Sequence, residues 1–142
     1  MPELPKIVPM VSYEDAGAAA DWLVSAFGFE ETDRVTDDGT VTHVTLRMGE
    51  AAVFVGKPGD TYVSPVRLRR ECAAAARMYE APWVVDGVWV QVDGDVAAHR
   101  ERAREAGARL LSEIEEPPIG FRLYRVEDPE GHRWMFAEPT SS

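Results

Sequence analysis

The feature that most constrains this chain is that it says the same thing twice. An apolar strand, a helix closing on a glycine, and then strands joined by tight turns occur in the first half and again in the second. The first copy runs through an apolar stretch at 7–13, a helix over 15–27 ending on Gly28, and a hairpin at 42–55 turning on Gly49-Glu50. The second runs through 88–92, a helix from Asp95 that ends before Gly107, and a hairpin at 121–137 turning on Asp128-Pro129-Glu130-Gly131. A unit repeated at this spacing is a supersecondary building block, and it restricts the fold before any single residue is considered.

Local chemistry supports each element. Asp15 and Asp95 are N-cap residues, and Gly28 fits the left-handed position that closes a helix. Trp22, Leu23, Ala26 and Phe27 recur at helical spacing and predict a face packed on a sheet. Residues 29–36 read as a strand and Asp37-Asp38-Gly39 as a turn. In the next strand Val44, Leu46 and Met48 alternate with His43, Thr45 and Arg47, so the apolar set faces the helix and the other set the open side. Val88, Val90 and Val92 alternate with Trp89, Gln91 and Asp93 in the same way. Residues 108–114 read as a strand, and Pro117-Pro118 as a loop. In Asp128-Pro129-Glu130-Gly131, Asp128 bonds the backbone ahead of it, Pro129 presets φ and Gly131 takes a left-handed turn position.

Between the copies lies a segment over 58–85. Its middle, 65–79, is helix-compatible, Pro82 ends any such helix, and Trp83 sits at its far end. It is either packing or a lid.

The 142 residues suffice for one compact domain with a real core. No apolar run approaches a membrane helix, and the N-terminal residues lack the order of a signal peptide. Cys72 is the single cysteine, so no intramolecular disulfide forms. The reading is a cytoplasmic protein. A formal net charge of −10 argues against nucleic-acid binding, which draws on lysine and arginine neutralising phosphates.

Three stretches resemble the vicinal oxygen chelate superfamily of glyoxalases, bleomycin-resistance proteins and dioxygenases, and within it the PhnB-like branch. They are Tyr13-Glu-Asp-Ala-Gly-Ala-Ala-Ala-Asp-Trp22 leading into Phe27-Gly28-Phe-Glu-Glu31, Arg102-Ala-Arg-Glu-Ala-Gly-Ala108, and Gly120 to Trp134 with its Asp-Pro-Glu-Gly-His-Arg-Trp. The resemblance implies an α+β fold in which two βαβββ modules, about 6–57 and 86–139, form a curled, cup-shaped mixed sheet with helices outside. The whole of 1–142 is then a single domain of this type. It also implies a small-molecule ligand and a homodimer.

Metal-dependent relatives hold a divalent ion on one side chain from the first strand of each module and one near the last strand of each. Carried over, three of these four positions fall on Val8 or Pro9, on Gly87 or Val88, and on Met135. None offers the carboxylate oxygen or imidazole nitrogen that a hard cation takes, so no metal and no cofactor are expected.

Strand parity then assembles a candidate pocket: Val8 and Met10 from the first strand, His43 and Thr45 from the third, Trp89 and Gln91 from the fifth, and Arg133 and Met135 from the last. Arg125 joins them with its parity open, since Tyr124 and Val126 suit either face. Apolar and aromatic walls with a few polar groups characterise a small-molecule site. Trp89 either stacks a planar ligand or fills space between the modules. His43 is a structural histidine, a ligand contact or a weak candidate for general base. The two functional readings are a metal-independent binding protein for a small, aromatic or cationic metabolite or antibiotic, and a glyoxalase- or isomerase-type enzyme using His43 as base or a divalent metal at positions other than these.

Overall fold

A computed structural model of the chain describes residues 3–81 and 86–140. Two compact units divide at Ser64 and Pro65.

The first unit contains β1 (Met10–Ser12), α1 (Ala16–Phe27), β2 (Glu30–Asp37), β3 (Thr40–Met48) and β4 (Ala51–Gly56), with sheet order β1-β4-β3-β2. β1 pairs parallel to β4, and the other neighbours are antiparallel. The expected strand at 7–13 is shorter in the ladder, because Pro9 has no N–H to give it. Its carbonyl still accepts from the Phe54 N–H at 2.9 Å. Asp15 Oδ1 accepts from the Ala18 N–H and starts α1. Gly28, at φ 84°, donates to the Val24 carbonyl and ends it. Asp38 and Gly39 both have positive φ, which is the type I′ geometry that matches the twist of a hairpin. Leu23, Ala26 and Phe27 of α1 are fully buried, as are Val44, Leu46 and Val55 of the sheet.

The second unit contains α2 (Pro65–Glu71), α3 (Ala73–Met78), β5 (Gly87–Gln91), α4 (Val96–Glu105), β6 (Arg109–Leu110), β7 (Phe121–Glu127) and β8 (Arg133–Pro139). Its sheet runs β5-β8-β7-β6, with β5 parallel to β8. The molecule is thus an α+β fold with two four-stranded mixed sheets, each with its helix between the first and second strand.

Two expectations need correction. The single helix read over 65–79 is two, because Cys72 adopts an extended conformation (φ −136°, ψ 114°) between them. α3 has already ended at Met78, ahead of Pro82, which with Trp83 lies outside the described residues. The strand read over 108–114 pairs regularly only at Arg109 and Leu110, with an isolated bridge at Glu115. Ser112 explains the interruption, since its hydroxyl accepts the Arg125 N–H at 2.9 Å in place of a ladder carbonyl.

α2 is seated on the β7–β8 turn. The Val66 N–H donates to the Glu130 carbonyl at 3.0 Å. A Cβ on Gly131 would stand 2.8 Å from the Val66 nitrogen, and φ there is 96°. Glycine is therefore required both by conformation and by space.

Candidate functional site

Each sheet has one face under its helix and one face free of it, and the expected pocket residues distribute over the helix-free faces. In the first unit the register sets Met10 beside Phe54 beside Thr45, and Ser12 beside Gly56 beside His43. Their neighbours Val44, Leu46, Val53 and Val55 point the other way, into the core below α1. His43 and Thr45 come together directly, Nε2 to Oγ1 at 2.8 Å. The imidazole also meets the Phe54 ring edge-on at 4.8 Å. Met10 is 81% exposed. Val8 is half-buried, just ahead of β1.

In the second unit Trp89, Met135 and Arg125 form one rung across β5, β8 and β7, and Gln91, Ala137 and Leu123 form the next. This settles the parity of β7. Tyr124 points to α4, where its hydroxyl is hydrogen-bonded to His99 Nδ1 at 2.6 Å, and burial pushes its pKa upward. Leu123 and Arg125 therefore share the helix-free face with Trp89. His99 faces the sheet and lies 4.3 Å from the Phe136 ring.

Trp89 is 41% exposed, and its indole stands edge-on to Phe121 at 5.1 Å. Arg125 is held by Glu115, while its Nε is buried and, among the described residues, has no hydrogen-bond partner. Two aromatic neighbours were missed in the sequence reading, Phe54 and Phe121. The second was accessible, since it continues the Arg125, Leu123 parity by two residues.

Arg133 has a different environment. It is 2% exposed. Nε donates to Glu127 at 3.0 Å, Nη1 to the Ala81 carbonyl at 2.6 Å and Nη2 to the Tyr79 carbonyl at 2.7 Å. Glu127 also accepts both nitrogens of Arg69, at 2.9 and 2.6 Å. Burial alone would raise the Glu127 carboxyl, but the hydrogen bonds from Arg69 and Arg133, with the charges of Arg69 and Arg109, hold it below its usual value. Arg133 thus sits on the helix-free side by parity but spends its donors inside the protein.

The positions that would carry a metal do not fit one. Val8 and Val88 offer hydrocarbon and Met135 a soft thioether, whereas hard divalent ions take oxygen and borderline ions imidazole or thiolate. Among the described residues no group of three or more His, Cys, Asp and Glu side chains is arranged to hold an ion. No chemical step is assigned to a metal.

This paired-sheet fold has known counterparts. The family model described as Glyoxalase/Bleomycin resistance protein/Dioxygenase superfamily matches residues 7–136. The chain belongs to that superfamily. Among solved structures it is similar to TioX from Micromonospora sp. ML1, with 32% identity, a TM-score of 0.69, and coverage of 97% of this chain and 98% of that one. The fosfomycin resistance protein FosX from Listeria monocytogenes shares the fold at 12% identity and a TM-score of 0.64, covering 96% and 93% of the two chains. An uncharacterized protein of Mycobacterium bovis is 29% identical over 139 residues, 95% of this chain and 84% of the relative. Among the described residues, no helix of this superfamily member is long and apolar enough to cross a membrane.

Proposed function

We propose that this protein binds a small molecule without a resident metal, sequestering or carrying an aromatic or cationic metabolite or antibiotic. The observation that carries the reading is Trp89. A large aromatic side chain stands 41% exposed on a helix-free sheet face, braced by Phe121 and flanked in register by Met135 and Arg125. Exposed aromatic surface of this kind stacks planar or cationic ligands. The partly exposed Arg125, paired with Glu115, brings charged groups to the ligand's polar end. On the second sheet Gln91 and Met135 extend this surface; on the first, Val8, Met10, His43 and Thr45 offer a candidate surface of their own.

A glyoxalase- or isomerase-type activity with His43 as base is the second reading. Its imidazole is on the helix-free face, but its partner is the Thr45 hydroxyl. Among the described residues, no carboxylate that would steady the imidazolium formed by proton abstraction is hydrogen-bonded to it. That favours binding over catalysis.

Bleomycin is the first probe, followed by planar cationic antibiotics, read by tryptophan fluorescence. Trp89→Ala should weaken binding of a positive probe by about five- to thirtyfold, with an unchanged melting temperature, because stacking on an indole is worth about 1–2 kcal/mol. Unchanged affinity would remove Trp89 from the site. A stoichiometric divalent ion in the purified protein would return the reading to a metalloenzyme.

On the strength of resemblance we take the protein as a cytoplasmic homodimer of the PhnB-like branch. Ile7 and Met10, 85% and 81% exposed, offer apolar surface to a second copy. Light scattering at micromolar concentration should give twice the 15.7 kDa chain mass. A monomer mass would end that part of the reading.

A further inference from the structure

The chain carries a formal net charge of −10, yet one cleft in its second unit is cationic. Its volume is about 370 Å³, and Arg69, Arg70 and Arg109 line it together with Tyr79, Val66 and Glu80. It lies where α2, α3 and β6 approach the Glu127 end of β7, six residues along that strand from Phe121. It borders the same sheet face as Trp89 but at the other end of β7, and Trp89, Phe121, Arg125 and Met135 are not among its lining residues, so the two sites stand or fall separately.

The three guanidiniums differ in how far they are already used. Arg69 is fixed, with two nitrogens on Glu127 and its plane 4.9 Å from the Tyr79 ring. Arg109 is 63% exposed and reaches Glu127 through a long 3.4 Å contact. Arg70 is exposed, and among the described residues it has no hydrogen-bond or ion-pair partner.

Charge around the cleft does not balance. Arg69, Arg70, Arg109 and Arg133 face Glu127 and Glu80, four cations against two anions. Glu127 is already engaged by Arg69 and Arg133, so it cannot also neutralise Arg70 and Arg109. Convergent like charges cost free energy unless a counter-anion joins them. The planar fork of arginine matches the oxygens of carboxylate and phosphate two at a time. The cleft volume lies at the lower end of the roughly 300–1,000 Å³ typical of ligand sites. Val66 and the Tyr79 ring give the ligand's carbon skeleton an apolar wall.

The geometry points to a second binding site, for a small oxyanion, phosphate or carboxylate, held by Arg70 and Arg109 against the fixed Arg69. Arg69 positions the cleft and is not replaced in the test, because removing it would strip Glu127 of its bidentate partner.

The full-length protein is titrated at low ionic strength with inorganic phosphate and, separately, with malonate. Binding is followed by the arginine Nε–H signals in nitrogen–proton correlation spectra. The signals of Arg70 and Arg109 should move and saturate. Arg70→Gln and Arg109→Gln should each weaken binding by at least about fivefold, as the loss of a charge-assisted hydrogen bond requires. Arg122→Gln, an equal charge change at the opposite end of β7, should leave it unaltered. Saturation by phosphate and not malonate assigns a phosphate ligand, and the converse a carboxylate. Shifts that never saturate with either probe would overturn the site. So would an equal loss in all three variants, or no loss in Arg70→Gln and Arg109→Gln.

Discussion

Glu127→Ala should lower the free energy of unfolding by about 3–5 kcal/mol, the cost of removing one partner from a buried ion pair. The side chains of Glu127 and Arg133 are 3% and 1% exposed, and Arg69 beside them 14%. Truncation leaves the Arg133 guanidinium in place with the Ala81 and Tyr79 carbonyls but without the Glu127 charge. Arg69 loses both of its carboxylate bonds at the same time, which loosens α2 from β7. Glu127→Met combined with Arg133→Met should be less damaging than Glu127→Ala, since burying two apolar chains removes the uncompensated charge. Denaturant unfolding measures each. A loss below about 1 kcal/mol for Glu127→Ala would mean that solvent reaches Arg133 and that the cluster is not a structural centre.

The same carboxylate gives a pH dependence of definite sign. Its folded-state pKa is held below the unfolded value, which for glutamate is about 4.3. Its contribution is then fully present above that pH and lost as pH falls through the lower folded-state pKa. The stability difference between wild type and Glu127→Gln should be constant near neutrality and shrink only in acid, below about pH 4.3. A difference that already shrinks between pH 7 and pH 5 would assign the effect to another group.

What the sequence discloses here is what adjacent residues decide among themselves. Asp15 and Asp95 cap their helices and Gly28 closes α1, because a cap is a contract within four residues. The Asp38-Gly39 turn and the repeat of strand, helix and hairpin are legible for the same reason. The Glu127, Arg69 and Arg133 cluster is not. Arg69 and Glu127 are 58 residues apart, and each alone resembles an ordinary surface charge. Arg133 illustrates the limit most clearly, because strand parity gives its side of the sheet but not whether its donors go to a ligand or to the protein. For β7 the obstacle was amphipathic residues on both faces. Tyr124 could have faced either way until His99, on a helix 25 residues earlier in the chain, proved to be its partner. Ser112 shows a third obstacle, where a side-chain oxygen takes a place in the ladder that pattern reading reserves for the backbone.

Asp128→Ala should cost about 2–4 kcal/mol, because one carboxylate satisfies three donors and the buried indole among them cannot find a substitute. Oδ1 accepts the backbone N–H groups of Glu130 and His132, at 3.2 and 3.0 Å. Oδ2 accepts the indole N–H of Trp134 at 3.0 Å. Asp128 is 3% exposed and Trp134 is fully buried, so water does not replace the lost acceptor at the indole. The turn also seats α2 through the Glu130 carbonyl, so disorder in it passes to the helix that carries Arg69. Asp128→Asn separates these roles. Its carbonyl oxygen can still serve the two backbone donors, while its NH₂ then faces the Trp134 N–H, donor against donor. It should cost about 1–3 kcal/mol and alter the near-ultraviolet dichroism of tryptophan while leaving the turn intact. If Asp128→Ala does not fold, Asp128→Asn remains measurable. An Asn variant as stable as wild type, with its tryptophan signal unchanged, would show that the indole bond contributes nothing and that the hairpin holds by backbone pairing alone.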